Sequence, residues 1–238
     1  MSYKKYNNLS STTLFNFTNT FERLKENLIS GIYCGDIYEK LPPFSRQPSG
    51  YIVPMVSFCD IPLGSMKEHL DSYGDYAIGI SREYARTYNI NPVWYIHKDN
   101  PIIKKMFKSE NKKELSDNPI LPFLKEFFGK HKYVNETIKQ KKFYDEKEWR
   151  FIPQDEKYNA IFKIGNHDEG IKFANNKKRK RETRMALDFD KISYIIVSTS
   201  VEKENLFPVL KKIANKKKIK YEKLVSLILT SSQIRRDF

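Results

Sequence analysis

Two glutamates stand two residues apart in the stretch FYDEKEWRFIP, residues 143–153. If that stretch is a strand, Glu146 and Glu148 project from one face and Lys147 and Trp149 from the other. Two carboxylates sharing a face in a cleft of low dielectric repel each other. One apparent pKa then rises, and the pair can divide acid/base work or stabilise a developing cation. The same spacing also describes an edge-strand charge ladder with Lys147 and Arg150 as counter-ions. Both readings stay open on spacing alone. Arg150 carries a fork of donors that suits a pyrophosphate, or equally a neighbouring acid such as Asp145.

Other groupings carry weaker signals. Asp145 and Lys147 match the D-x-K half of a metal-dependent nuclease pattern, with Asp60 or Asp75 as an upstream ligand, but the pattern is short. The strongest basic cluster is residues 175–184, where Lys177, Lys178, Arg179, Lys180, Arg181 and Arg184 surround a single acid, Glu182. A loop of this kind contacts phosphates without reading bases, and it serves equally well as a solvated loop. The histidines, His69, His97, His131 and His167, show no i,i+4 pair, and Cys34 and Cys59 form no CxxC or CxxH. No metal site and no disulfide framework is indicated, which fits a reducing, cytoplasmic setting. His69 reads as a partly exposed structural residue, and Trp94 and Trp149 as strand aromatics packed in a core.

The elements that must position these residues are legible in outline. Leu14–Phe17 reads as a strand. Asn19 and Glu22 have capping-box spacing ahead of a helix that carries Phe21, Leu24 and Leu28 and stops at Gly31. YIVPMVSFCDIP reads as a strand ending near Asp60, and Ser65 with Glu68 as the start of a second helix ending before Gly74. DYAIGIS and PVWYIHK read as strands flanking a helical REYARTY, with Gly79 allowing close approach. Residues 100–140, which contain ILPFLKEFF, read as a helical insertion. EWRFIP, NAIFKI, MALDF and ISYIIVST supply four more strands, and the end reads as a helix, a short strand and a tail. Strands outnumber helices and mostly lie too close for βαβ crossovers. The expected class is therefore α+β, a single domain over 1–238 with a mixed, mostly antiparallel sheet.

With 43 basic and 29 acidic residues the formal charge is +14, which favours polyanionic partners such as nucleic acid. The opening MSYKKYNNLSSTT lacks the apolar core of an export signal, and no run approaches a membrane span.

LFNFTNTFERLKENLISGIY, VPMVSFCDIPLGSMKEHLDSYGDYAIGIS, NPVWYI and FYDEKEWRFIP, in this order, resemble the AbiGi family of abortive-infection proteins. The resemblance covers most of residues 12–153. It implies a phage-defence role in a toxin–antitoxin system, usually as the antitoxin, with a cognate toxin as partner.

A more distant resemblance is to ADP-ribosyltransferases, including the DarT group that modifies DNA. It implies a split sheet and NAD as substrate, with ADP-ribose passed to nucleic acid or protein. Glu148 would stabilise the oxocarbenium-like centre, and Glu146 would complete a Glu-x-Glu pattern that orients the acceptor. Ser57 and Phe58 would lie on the middle strand, and Tyr73 and Tyr76 would stack on nicotinamide. Asn16 and Thr18 would bind from the first strand, and Arg150 would reach the pyrophosphate. The pattern expects His or Arg where this chain has Asn16, an amide that donates hydrogen bonds but carries no charge. The resemblance still points to an NAD-dependent transferase, and that departure strengthens the alternative, a non-catalytic antitoxin that binds a toxin or nucleic acid.

Overall fold

The computed structural model describes residues 11–40, 50–97, 100–102, 105, 119–132, 138–153 and 183–238. In chain order the elements are β1 (Thr13–Thr18), α1 (Phe21–Ser30), β2 (Ile32–Tyr33), β3 (Gly35–Lys40), β4 (Gly50–Cys59), α2 (Lys67–Tyr73), β5 (Tyr76–Ser81) and α3 (Arg82–Thr87). Then come β6 (Asn91–Pro92), β7 (Trp94–Ile96), β8 (Leu124–Glu126), β9 (Phe128–Lys132), β10 (Ile138–Lys142) and β11 (Glu148–Phe151). The C-terminal part holds β12 (Arg184–Met185), β13 (Ile192–Val197), α4 (Ser200–Lys217), α5 (Tyr221–Ser226), β14 (Ile228–Thr230) and α6 (Ser231–Asp237).

The main sheet runs β14-β13-β5-β1-β4-β11-β6, with β3 paired to the outer half of β4. Its ladders are antiparallel except β13 with β14, so the fold is α+β with a mostly antiparallel sheet. Both faces of the central strands are buried, which is why they read as apolar runs rather than as alternating ones. Leu14, Ile78, Ile80, Ile195 and Val197 meet Leu24 and Leu28 of α1, Leu206 and Leu210 of α4 and Leu224 of α5. The intervening Phe15, Ala77 and Ile196 face the other way, onto Met66, Leu70 of α2 and Ile234 of α6. Each large aliphatic side chain taken out of water here contributes about 1.5–3 kcal/mol.

The local signals err by small steps. The N-cap of α1 is Thr20, whose Oγ1 accepts from Arg23 N at 3.2 Å, one residue after Asn19. Ser65 caps no helix. It ends a 3-10 turn, Leu63–Ser65, and α2 starts beyond the fully buried Met66. The close approach at Gly79 is that of side chains, since a Cβ there would lie 2.8 Å from Thr13 Cγ2 and 2.9 Å from Phe15 Cε1.

Four expectations are corrected. In the expected helical insertion at 100–140 the described residues 101, 102 and 105 are helical, but the rest of its described part holds a 3-10 turn, Leu121–Phe123, then β8, β9 and the start of β10. ILPFLKEFF has helical spacing, but its Leu124 pairs with Trp94 in a parallel ladder, and tertiary pairing overrides propensity. The C-terminal tail is the helix α6, fixed by a capping box between Thr230 and Gln233. Trp94 is 56% exposed rather than in the core, while His69 is buried. The expected strand NAIFKI and basic residues 177–181 lie outside the described residues. Among the described residues no helix is long and apolar enough to cross a membrane.

Candidate functional site

β1 and β4 meet at a single residue pair, Phe15 opposite Cys59, and beyond it β4 continues outward to pair with β3. A cavity of about 620 Å³ occupies the opening, lined from β1, α1, β3, β4, the end of α2 and β8–β9. Asn16 stands beside the divergence, and its Nδ2 donates to the Ser57 carbonyl at 2.9 Å, tying β1 to β4.

Glu146 and Glu148 both line this cavity, though strand alternation is not what brings them together. Glu146 ends a 3-10 turn, Phe143–Glu146, and Lys147 takes a left-handed conformation at φ 44°. Glu148 then opens β11, in register with Cys59 on β4. The kink at Lys147 aims both carboxylates at one ammonium, that of Lys125 on β8, at 2.8 Å from Glu146 Oε2 and 2.7 Å from Glu148 Oε2.

Every carboxylate oxygen of the pair is engaged. Glu146 Oε1 accepts from the Tyr73 hydroxyl and lies 3.2 Å from Lys141 Nζ. Glu148 Oε1 accepts from Ser57 Oγ at 2.7 Å and Arg150 Nε at 2.8 Å, and Arg150 Nη2 reaches Oε2 at 3.2 Å. Arg150 is fully buried and spends its remaining donors on Glu39 at 2.8 Å and the Pro122 carbonyl at 2.6 Å. The Tyr95 hydroxyl accepts from Glu148 N at 2.7 Å. Three cations, Lys125, Lys141 and Arg150, thus balance three anions, Glu39, Glu146 and Glu148.

The titration follows from this geometry. Burial raises the pKa of Glu148, but Arg150 and Lys125 outweigh it and hold the carboxyl below its ordinary range. Burial likewise opposes Lys125, Lys141 and the Tyr73 hydrogen bond at Glu146, and the net shift is again downward. For Lys125, burial favours the neutral amine, yet Glu148, Glu146 and Glu39 hold it protonated above its usual range. The Tyr73 phenol is pushed up by burial and by Glu146. Both carboxyls are therefore held in their ionised form at neutral pH.

α2 delivers Tyr73 and stops at Gly74, whose φ of 110° only glycine adopts readily. A Cβ there would fall 2.5 Å from Asn19 Cα. Beneath Tyr73, His69 is buried between the rings of Phe17 and Tyr73, with centroids at 5.9 and 6.1 Å. Burial and the Lys141 ammonium lower its pKa from 6.5 to about 4, against the opposing pull of Glu146.

Of the residues singled out in the sequence, Asn16, Thr18, Ser57, Tyr73, Glu146 and Glu148 line the cavity together. Phe58 is turned into the core beside α1 and α4, and the Tyr76 hydroxyl donates to Glu202 at 2.8 Å. Arg150 lies behind Glu148. Arg184 donates to the Gly31 carbonyl at 3.1 Å and pairs with Glu26, joining β12 to the end of α1. The other five basic-loop residues, Lys177, Lys178, Arg179, Lys180 and Arg181, lie outside the described residues. Sequence reasoning missed Lys125, Lys141, Glu39 and Tyr95. Lys125 sits inside the segment read as helical, and nothing local marks any of them.

The nuclease pattern is not assembled. Asp60 pairs with Arg82 at 2.6 Å, Asp75 with Arg235 at 3.0 Å and Asp145 with Lys142 at 3.0 Å. Among the described residues no group of three or more His, Cys, Asp or Glu is placed to hold a metal ion.

Comparison with known proteins agrees with the first resemblance. Residues 45–198 match the family model described as abortive phage resistance protein AbiGi, antitoxin. The abortive phage resistance protein AbiGi of Lactococcus lactis subsp. cremoris is 26% identical over 236 residues, covering 84% of this chain and 95% of that protein. No solved structure matches the chain. With more than half of its residues inside the family model, the chain belongs to the AbiGi family of abortive phage resistance proteins.

Proposed function

We propose that this chain acts as the antitoxin of an abortive-infection pair, and that its cavity binds a nucleotide ligand of the NAD type without turning it over. The observation that carries this reading is the saturation of Glu146 and Glu148 by Lys125, Lys141, Arg150, Ser57 and Tyr73. A carboxylate stabilises a developing cation in proportion to its uncompensated charge, and here the neighbouring charges cancel. Asn16 supports the same reading, because its amide nitrogen is committed to the Ser57 carbonyl and supplies no cation. What the cavity offers a ligand is shape, aromatic faces from Phe17, Tyr33, Tyr38 and Phe143, and the cations Arg23 and Lys130.

Calorimetric titration with NAD and ADP-ribose tests the binding, and co-expression with the product of a neighbouring toxin gene tests the antitoxin role. The expected result is saturable binding, no release of nicotinamide, and rescue of growth that survives Glu148→Gln. Nicotinamide release that depends on Glu148 would overturn the non-catalytic reading.

A second reading, transfer of ADP-ribose from NAD to nucleic acid or protein, is favoured by the hydrogen bond from Ser57 to Glu148 at the opening between β1 and β4. It requires Lys125 to leave the carboxylates when substrate enters. Labelled NAD incubated with DNA, RNA and lysate decides between the two.

A further inference from the structure

β9 and β10 pair with each other and, among the described residues, with no other strand. Their ten residues, FGKHK and IKQKK, contain five lysines and no acid. An antiparallel ladder gains from opposite charges placed across it and loses from like ones. Here Lys130 faces Gln140, Lys139 faces His131 and Lys142 faces Phe128, so no lysine meets an acid across the ladder. Lys141 is turned inward, to Glu146, and Lys139, two residues before it on β10, shares that face, so Phe128, Lys130 and Lys142 belong to the outer one.

The outer surface is also aromatic. Phe128 is 53% exposed and Tyr144, just past the hairpin, is 49% exposed. The rings of Phe127 and Tyr144 stack at 5.2 Å, and Lys142 Nζ lies 5.7 and 5.6 Å from their centroids. Lys142 also pairs with Asp145, but both side chains are near half exposed, and such a pair is worth little in water. Gly129 and Lys130, next along β9 from Phe128, line the cavity, so this surface runs into its edge.

We propose that the outer face of β9 and β10, with Tyr144, docks single-stranded nucleic acid, its bases stacked on Phe128 and Tyr144 and its phosphates met by Lys130 and Lys142. Lysines interleaved with half-exposed rings match the two things a single strand presents, a charged backbone and unpaired base faces. A duplex hides those faces, so it binds here more weakly. Lys130 also lines the cavity, so a cavity ligand and a single strand share that cation.

The test is fluorescence anisotropy with labelled oligouridine and oligothymidine of about 20 nucleotides, enough to cover one or more single-strand sites. Wild type is expected to bind both, with an affinity that falls as salt rises, and tighter binding of either one identifies the sugar. Lys130→Glu and Lys142→Glu combined should weaken binding at least about tenfold and flatten the salt dependence by about 1.4 units of slope, at roughly 0.7 per phosphate lost. Phe128→Ala should weaken it roughly fivefold or more, the loss of one stacked base. Phe128 is exposed, so this variant keeps the fold. If charge reversal lowers the melting temperature, the matching Lys→Gln set replaces it. Lys211→Glu and Lys212→Glu on α4 remove as much charge elsewhere and should leave binding within about twofold of the value set by net charge. The proposal fails if wild type does not bind, if a duplex of equal length binds as tightly, or if the hairpin variants bind no worse than the α4 variant.

Discussion

Lys125 Nζ lies 2.7 Å from Glu148 Oε2, and the same ammonium holds Glu146 at 2.8 Å. One cation thus joins the end of a turn to the start of a strand, and Lys125→Met should show how much rests on it. Removing one member of a buried ionic network leaves charge uncompensated, so the expected loss is about 3–5 kcal/mol in urea unfolding. The folded pKa values of both glutamates lie below 4.5, so their stabilisation is complete above about that pH and is lost as pH falls through the folded values. Without Lys125 those values rise, and the acid-unfolding midpoint should move to higher pH.

Glu148→Gln should cost more stability than Glu146→Gln. Glu148 is the partner of Arg150, which is fully buried, whereas Glu146 answers two lysines, one of them partly exposed. Denaturant midpoints of the two variants, measured under one condition, check the order. Equal losses would mean that Glu39 and the Pro122 carbonyl suffice for Arg150.

His69 gives the fold a pH dependence of its own. Its pKa falls from 6.5 unfolded to about 4 folded, so its neutral form favours the native state. The contribution is complete above about pH 6.5 and is lost as pH falls towards 4, by roughly 3 kcal/mol over the interval. In His69→Phe, which keeps a ring between Phe17 and Tyr73, stability measured across that interval should be nearly flat until the carboxylates titrate.

Gly74→Ala should lower stability by about 2 kcal/mol or more, since φ of 110° strains any Cβ and this one would collide with Asn19. The neighbouring Tyr73 and Thr18 line the cavity, so ligand affinity should fall along with the melting temperature.

Leu210→Ala on α4 should cost about 2–5 kcal/mol, because Leu210 is fully buried in the helical layer over the sheet. Cavity ligands should bind the folded variant unchanged, a contrast that separates core damage from site damage in thermal unfolding with and without ligand.

The sequence by itself determined the elements whose signals are local. Apolar runs marked β1, β4, β5 and β13, and Gly31 and Gly74 marked two helix ends, because periodicity and left-handed stops are properties of a few consecutive residues. It also drew attention to Glu146 and Glu148, although for a reason that does not hold, since the left-handed Lys147 rather than strand alternation aims them together. Only the tertiary structure decided what surrounds them. Lys125 comes from a segment with helical spacing that pairs as a strand with β7, and Ser57 reaches Glu148 across 91 residues of chain. Whether those carboxylates stand free or neutralised depends on which distant cations the fold brings within about 3 Å. Coulomb energy falls with distance through space, and separation along the chain does not enter it.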